Sequence, residues 1–360
     1  MLNQKSILNK RIKVLIIDDS ALVRDILSKG LTQDPMLDVV GAAPDVYVAR
    51  DMIVDKKPDV LTLDIEMPRM DGIEFLQRLM PQYPIPVVVV SSLTQRGKQI
   101  TIQALEAGAV DFVPKPMSDV ARGLAEMMVE LRTKIKIAST ANVAHWKGKR
   151  VEHIKKADYP GSKSLAESTD KVIAIGASTG GTEAIRKVLE PLPPTMPGIV
   201  VVQHMPAGFT KTFSERLNEV CMLQVKEAES GDRIVSGRVL IAPGDYHLKV
   251  IRSGGYYQVV CQTGEKVNGH RPSVDVMMFS VAEHVGANAY GIILTGMGND
   301  GALGLKAMKD AGARTIGQDP STCVVYGMPK VAKDIGAVEY QMTLDKISEG
   351  IQNLISSRKV

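Results

Sequence analysis

The chain has 360 residues, 44% of them hydrophobic and 23% charged, and carries a formal charge of +4. That length exceeds what one compact core usually holds, so two domains are expected, and the composition excludes a disordered or fibrous chain. Three dispersed cysteines, Cys221, Cys261 and Cys323, form no CxxC pair, which argues against a disulfide framework or a thiolate zinc site and fits a reducing cytosol.

From Arg11 onward, apolar runs alternate with amphipathic stretches. Strands are predicted at Val14 to Ile17, Val39 to Ala42, Val60 to Leu63, Val87 to Val90 and Val110 to Val113, with helices between them such as Ala21 to Leu31 and Gly97 to Ala107. Continuous Val and Ile runs are typical of parallel strands covered on both faces, and five βα units predict a doubly wound sheet over residues 11–137. Asp18 and Asp19 cut the first apolar run too short for a signal peptide. No other run reaches the ~20 residues of a membrane span, so a cytoplasmic protein, not an integral membrane protein, is expected.

Residues 138–168 lose the rhythm and read as a basic, flexible linker. The segment Arg132 to Asp158 carries a net +6, which leaves the rest of the chain at −2. The positive charge is therefore local, and no nucleic-acid partner is expected. A second α/β domain is predicted over 169–356. Its strand Val172 to Ile175 leads into Gly176-Ala177-Ser178-Thr179-Gly180-Gly181 and a helix over Thr182 to Leu189. Strands are also predicted at Ile199 to Val202, Val239 to Ala242, Tyr256 to Cys261 and Gly291 to Leu294, with a helix over Ser273 to Val285.

Chemistry-bearing residues fall at the strand ends. Asp18 and Asp19 end the first strand and Asp64 the third, neighbours at the topological switch point of a doubly wound sheet. Three converging carboxylates need a cation, and hard oxygen ligands suit Mg²⁺. Ser91 ends the fourth strand and Lys115 lies just after the fifth; a hydroxyl and an ammonium there suit a phosphoryl group. Any one such Asp is most simply a helix cap, but five correctly typed residues at strand ends indicate a phosphoacceptor site.

In the second half, Gly176 to Gly180 fits G-x-S-x-G between strand and helix, which lifts the Ser178 hydroxyl clear of the sheet. Ser178 needs a base, and His204 ends the next parallel strand; Asp300, on the loop after a later strand, is placed to orient the imidazole. Each signal is weak alone. A glycine-rich strand–helix turn is more often an anion cradle, although no P-loop Lys comes after it and the G-x-G-x-x-G spacing is absent. A nucleotide-binding output domain and a DNA-binding one are thus the alternatives, the latter needing a compact basic helix-turn-helix.

The first half resembles the receiver domain of two-component response regulators in Asp18-Asp19, Leu63 to Gly72, Ser91 and Lys115-Pro116. The second half resembles the chemotaxis protein-glutamate methylesterases in Ile175 to Glu183, Gln203 to Pro206, Ile241 to Asp245, His270 to Asp275 and Leu294 to Gly301. The resemblance implies a flavodoxin-like receiver and a Rossmann-like α/β esterase domain, two doubly wound parallel sheets. It implies phosphorylation of Asp64 by a chemotaxis histidine kinase, with Mg²⁺ at the receiver site, Ser91 and Lys115 sensing the phosphate, and no cofactor for the esterase. It further implies Ser178 as nucleophile, His204 as base then acid, Asp300 as its partner and the Met297 N–H as oxyanion donor. The implied substrates are methylated glutamates of chemoreceptors, with deamidation of receptor glutamines as a second activity. His270 and Arg271 are expected to line a substrate groove, and His247 is assigned no role.

Overall fold

Runs of Val and Ile that leave no face for water become strands covered on both sides by helices. In the computed structural model, which describes residues 11–67, 71–116, 120–148 and 170–357, the chain divides into two units, Met1–Glu152 and His153–Val360.

The first unit holds strands β1 (Ile12–Ile17), β2 (Leu37–Ala43), β3 (Val60–Asp64), β4 (Val87–Ser91) and β5 (Asp111–Pro114). All pair in parallel, in the order β2-β1-β3-β4-β5. The doubly wound reading is therefore correct, and each expected run coincides with a strand to within a residue or two. Val14 to Ile17 and Val87 to Val90 are almost wholly buried. Local chemistry starts the intervening helices: the Ser20 hydroxyl accepts from the Val23 N–H ahead of Ala21–Thr32, and Asp45 accepts from the Tyr47 and Val48 N–H groups ahead of Val46–Lys56. A cap of this kind contributes about 1 kcal/mol. Strand order reverses between β1 and β3, so their carboxyl ends open together at the switch point.

Residues 139–148, expected within the linker, pack on the first unit. The short 3-10 turn Ala144–Trp146 comes after the long helix Val120–Ala138, and the Gly148 N–H donates to the Pro81 carbonyl oxygen at 2.9 Å. The Trp146 indole lies over Gly108, where an added Cβ would sit 3.1 Å from the ring. Residues 149–168 of the expected linker lie outside the described residues.

The second unit contains β6 (Val172–Ala177), β7 (Gly198–Gln203), β8 (Gln224–Glu227), β9 (Arg238–Ile241), β10 (His247–Ser253), β11 (Tyr256–Gln262), β12 (Ala289–Ile293), β13 (Arg314–Gln318) and β14 (Tyr340–Met342). Seven form a parallel sheet in the order β14-β13-β12-β6-β7-β9-β8. The expected strand over Tyr256 to Cys261 exists but lies outside that sheet; β11 pairs antiparallel with β10 in a separate ribbon. Strands β8 and β14 sit at the two edges and are polar, which is why no apolar run announces them. A core of Val200, Val202, Leu240, Val274, Met278 and Leu305 helps hold the unit together. The chain leaves β6 toward β7 on one side and returns as β12 on the other, so the end of β6 is this unit's switch point. Among the described residues, no helix is long and apolar enough to cross a membrane.

The Trp146 contact gives a stability prediction. Trp146→Ala should cost the first unit about 1–2 kcal/mol, below the ~3–5 of a fully buried aromatic, read as a lower urea midpoint for that unit in the intact chain. An unchanged midpoint would make the indole incidental.

Candidate active site

Parallel pairing sets Ala177 opposite Gln203, so Ser178 and His204 emerge side by side from β6 and β7. The His204 N–H donates to the Ala177 carbonyl oxygen at 3.1 Å. Between the two, the Gln203 side-chain amide donates to the carbonyl oxygens of Ser178 (2.9 Å) and His204 (3.2 Å). The Gly181 N–H also donates to the Ser178 carbonyl at 2.7 Å, and the Ser178 N–H donates to the Thr295 carbonyl at 3.0 Å. The serine is thereby tied to β7 on one side and to the segment after β12 on the other. Close packing explains the small residues around it. At Gly296 an added Cβ would sit 2.7 Å from the Ser178 Cβ, and Gly180 adopts φ 77° where the chain turns into the helix Gly181–Leu189.

The His204 Nε2–H donates to Asp300 Oδ2 at 2.8 Å, with the two side chains 7% and 1% exposed. Asp300 Oδ2 also accepts from the Val274 N–H (2.7 Å), while Oδ1 accepts from Asn268 Nδ2 (2.9 Å), Ser273 Oγ (2.8 Å) and the Asp275 N–H (3.2 Å). Burial alone would raise the Asp300 carboxyl, but the bond and charge of His204, with the donors from Asn268 and Val274, outweigh it and hold the group well below the usual carboxylate range. Because a charged carboxylate only accepts, the imidazole proton belongs on Nε2. The basic nitrogen is then Nδ1, which is buried and has no hydrogen-bond partner among the described residues. The expected relay is thus closed between Asp300 and His204. No hydrogen bond joins the Ser178 hydroxyl to His204 among the described residues; such contacts are often long before substrate binds.

Met297, next after Gly296, is half exposed. The Gly296 N–H donates to the Val325 carbonyl at 3.0 Å, whereas the Met297 N–H meets no acceptor among the described residues. An N–H one residue from the Gly296–Ser178 contact, with nothing to donate to, suits an oxyanion.

Three further residues act here in ways that residue type and spacing do not specify. The His270 ring stacks on the His204 ring, with centroids 3.7 Å apart and planes 10° from parallel. His247, assigned no role, staples a loop: its Nε2–H donates to the Glu265 carbonyl (2.8 Å) and its Nδ1 accepts from the Ser273 N–H (3.2 Å). Asn268 bridges Asp300 to Asp275 Oδ2 (2.7 Å). The Asn268-Gly269 dipeptide, a hairpin-turn signal, is the one local clue to it. Arg271, expected in a groove, directs one guanidinium nitrogen to the Gly264 carbonyl.

In the first unit, one carboxylate oxygen from each of Asp18, Asp19 and Asp64 lies within 4.8 Å of the others. Lys115 Nζ donates to Asp64 Oδ2 at 2.6 Å and Asp18 Oδ2 at 3.2 Å. Burial drives the Asp18 carboxyl up; Lys115 pulls it down, Asp64 pushes it up again, and the outcome is raised. Burial would lower the Lys115 ammonium, but the two carboxylates more than compensate and it is raised, so the charge persists. This cluster fits a hard divalent cation, with Asp19 exposed on the open side. Ser91 points elsewhere: its buried hydroxyl donates to the Gly97 carbonyl (3.3 Å) and accepts from Thr101 Oγ1 (2.5 Å).

Among known proteins, residues 173–351 match the family model of the CheB methylesterase, and residues 14–125 match the response regulator receiver domain. A protein-glutamate methylesterase/protein-glutamine glutaminase of Syntrophotalea carbinolica is 63% identical over 98% of this chain and 99% of its own length. One of the same description from Salmonella typhimurium is 49% identical over 96% and 98%. The crystal structure of the Thermotoga maritima CheB methylesterase catalytic domain is 41% identical, with a TM-score of 0.50, over 51% of this chain and 98% of that one. Neither the DNA-binding nor the nucleotide-binding alternative finds support in these relatives.

The Gly296 contact is testable without knowing the substrate. Gly296→Ala brings a methyl group into collision with Met328 Sδ and 2.7 Å from the Ser178 Cβ. The displaced hydroxyl should slow fluorophosphonate labelling of Ser178 by ~100-fold. Labelling at the parent rate would show that the serine does not depend on this approach.

Proposed function

The chain belongs to the protein-glutamate methylesterase/protein-glutamine glutaminase family, and from that premise we propose that it is a cytoplasmic, phosphorylation-activated serine hydrolase of chemotaxis adaptation. Its substrates are glutamyl methyl esters on chemoreceptors, and it deamidates receptor glutamines by the same route. The observation that supports this reading is the register of β6 and β7, which brings the backbones of Ser178 and His204 out side by side, with the His204 imidazole 2.8 Å from buried Asp300.

Ser178 Oγ attacks the γ-carbonyl of the ester while His204 Nδ1 accepts the hydroxyl proton. Asp300, ionised well below neutral pH, keeps the other imidazole proton on Nε2 and balances the imidazolium charge. The Met297 N–H donates to the oxyanion. His204 then returns its proton to the methoxide, methanol leaves, and water hydrolyses the acyl-enzyme by the same proton path. With a glutamine substrate, ammonia leaves in place of methanol. A serine hydroxyl has little nucleophilicity near pH 7 without such a base.

The receiver is the input. Asp64 is the phosphoacceptor for a chemotaxis histidine kinase, and Asp18, Asp19 and Asp64 are the residues that would hold Mg²⁺, which offsets phosphoryl charge when bound. Lys115 is already paired with Asp64 and is poised to track a phosphoryl oxygen. Ser91 reaches the phosphoryl only by giving up Gly97 and Thr101, so its movement couples phosphorylation to the helix Gln95–Glu106. The division expected from sequence, a receiver over 11–137, a linker over 138–168 and a catalytic domain over 169–356, is revised at one boundary: the receiver runs on to at least 148.

Two measurements test the reading. Ser178→Ala should release no methanol from methylated receptor while melting like the parent; retained turnover would remove Ser178 from the chemistry. A small phosphodonor with Mg²⁺ should raise methanol release by the intact chain, and Asp64→Asn should abolish that rise but leave basal activity. Stimulation surviving in Asp64→Asn would place the switch at another residue.

A further inference from the structure

Among the described residues, the imidazole of His204 is held by a single hydrogen bond. Its Nε2 is fixed to Asp300, but its Nδ1 has no partner among the described residues, so none of their hydrogen bonds stops the ring from rotating about the Nε2···Oδ2 direction. That rotation decides whether Nδ1 faces Ser178. The residue that meets the ring is His270, nearly parallel to it at 3.7 Å.

The position of His270 is itself determined by a two-residue turn. Val267 and His270 form an antiparallel bridge, with N–H to carbonyl bonds of 3.1 and 2.9 Å. Asn268 and Gly269 occupy the turn with φ of 53° and 81°. Both angles are positive, as a type I′ turn requires, and Asn and Gly are the residues that accept it. The turn is then pinned to the site by its own side chain. An amide NH₂ has two hydrogens, and Asn268 directs them to Asp300 Oδ1 (2.9 Å) and Asp275 Oδ2 (2.7 Å). Asp275 is buried and its Oδ1 accepts from the Gly304 N–H at 2.7 Å, so the anchor is rigid at both ends. His247 secures the flanks of the same loop at Glu265 and Ser273.

We propose that Asn268 and His270 form a positioning clamp in which the Asn268 amide locks the turn to Asp300 and the stacked His270 ring holds the His204 imidazole in the orientation that presents Nδ1 to Ser178. The inference rests on the assignment of Ser178, His204 and Asp300 given above. Neither clamp residue is assigned contact with the reacting atoms. A flat aromatic surface is what the second ring supplies, so the clamp depends on its shape rather than on proton transfer.

The test uses the full-length chain, phosphorylated, with methanol release from methylated receptor as the assay. Asn268→Gly keeps a residue at ease with positive φ and removes only the amide; His270→Ala removes the ring; His270→Phe keeps a ring that cannot carry a proton. Asn268→Gly and His270→Ala should each lower kcat by ~10- to 100-fold, the scale of a misplaced catalytic group, with KM within about two-fold. His270→Phe should recover most of the loss. The double variant Asn268→Gly/His270→Ala should be little worse than either single one, because both disable one device. Parent-like kcat in both single variants overturns the clamp. So does a loss carried by KM, which would make His270 a substrate contact, or a Phe variant as poor as Ala, which would give His270 a role in proton transfer. Should Asn268→Gly unfold at the assay temperature, the contrast of Ala and Phe at 270 decides alone. Ser178→Ala run in parallel separates the two ideas: turnover there defeats the triad assignment itself, whereas a dead Ser178→Ala with a parent-like His270→Ala defeats only the clamp.

Discussion

The catalytic unit is organised around one buried negative charge. Asp300 is removed from water and yet held ionised, which is tolerable only because both of its carboxylate oxygens meet donors. Leaving a buried polar group unsatisfied costs about 1–3 kcal/mol, and more when the group is charged. The donors come from separate segments: His204 after β7, Asn268 in the turn, and Ser273, Val274 and Asp275 at the start of the helix Val274–His284. Satisfying the charge therefore assembles the site, because these segments reach the carboxylate together only when the sheet and the loop over it are both in place.

The receiver handles buried acid in the opposite way. Among the described residues, its three clustered carboxylates face one ammonium, Lys115, at hydrogen-bond distance from two of them. Among those residues the three carboxylates outnumber their cation, and Asp18 is pushed up where Asp300 is pulled down. A fully satisfied carboxylate makes a fixed support; an under-satisfied cluster is suited to take up a cation and a phosphoryl group and to respond to them. The two units thus set the same kind of side chain in opposite electrostatic surroundings, one matched by donors on both oxygens and the other crowded by like charge.

Close backbone approach links the chemistry to the fold. Gly296 permits the β12 loop to touch Ser178, and the Gln203 amide braces the carbonyls of nucleophile and base at once. A displacement of this loop would move the Met297 N–H and the serine together, so the proposed oxyanion donor and nucleophile keep their separation as a unit. Catalysis through preorganised donors depends on that constancy more than on any single bond strength.

Much of this is legible along the chain. Valine- and isoleucine-rich runs ending in Asp18, Asp64, Ser91, Ser178 and His204 mark strands whose carboxyl ends carry the proposed site residues, since burial on both faces forces an apolar run and the switch point gathers the residues just beyond the strand ends. Edge strands β8 and β14, largely half-buried and polar, leave no such trace, and neither does the packing of Trp146 on Gly108. Asn268 lies 7 residues from one of its carboxylates and 32 from the other, and no local pattern encodes a bridge of that reach. His270 is visible as a histidine near the motif, but its stacking on His204 arises where a turn geometry and a distant strand end meet in space. Sequence alone determined which residues could do the chemistry, because residue type and strand ends are local properties. Which imidazole nitrogen faces Asp300, where the Ser91 hydroxyl points and what holds His204 in place were decided only by tertiary structure, because each depends on how buried charges and donors from remote segments satisfy one another.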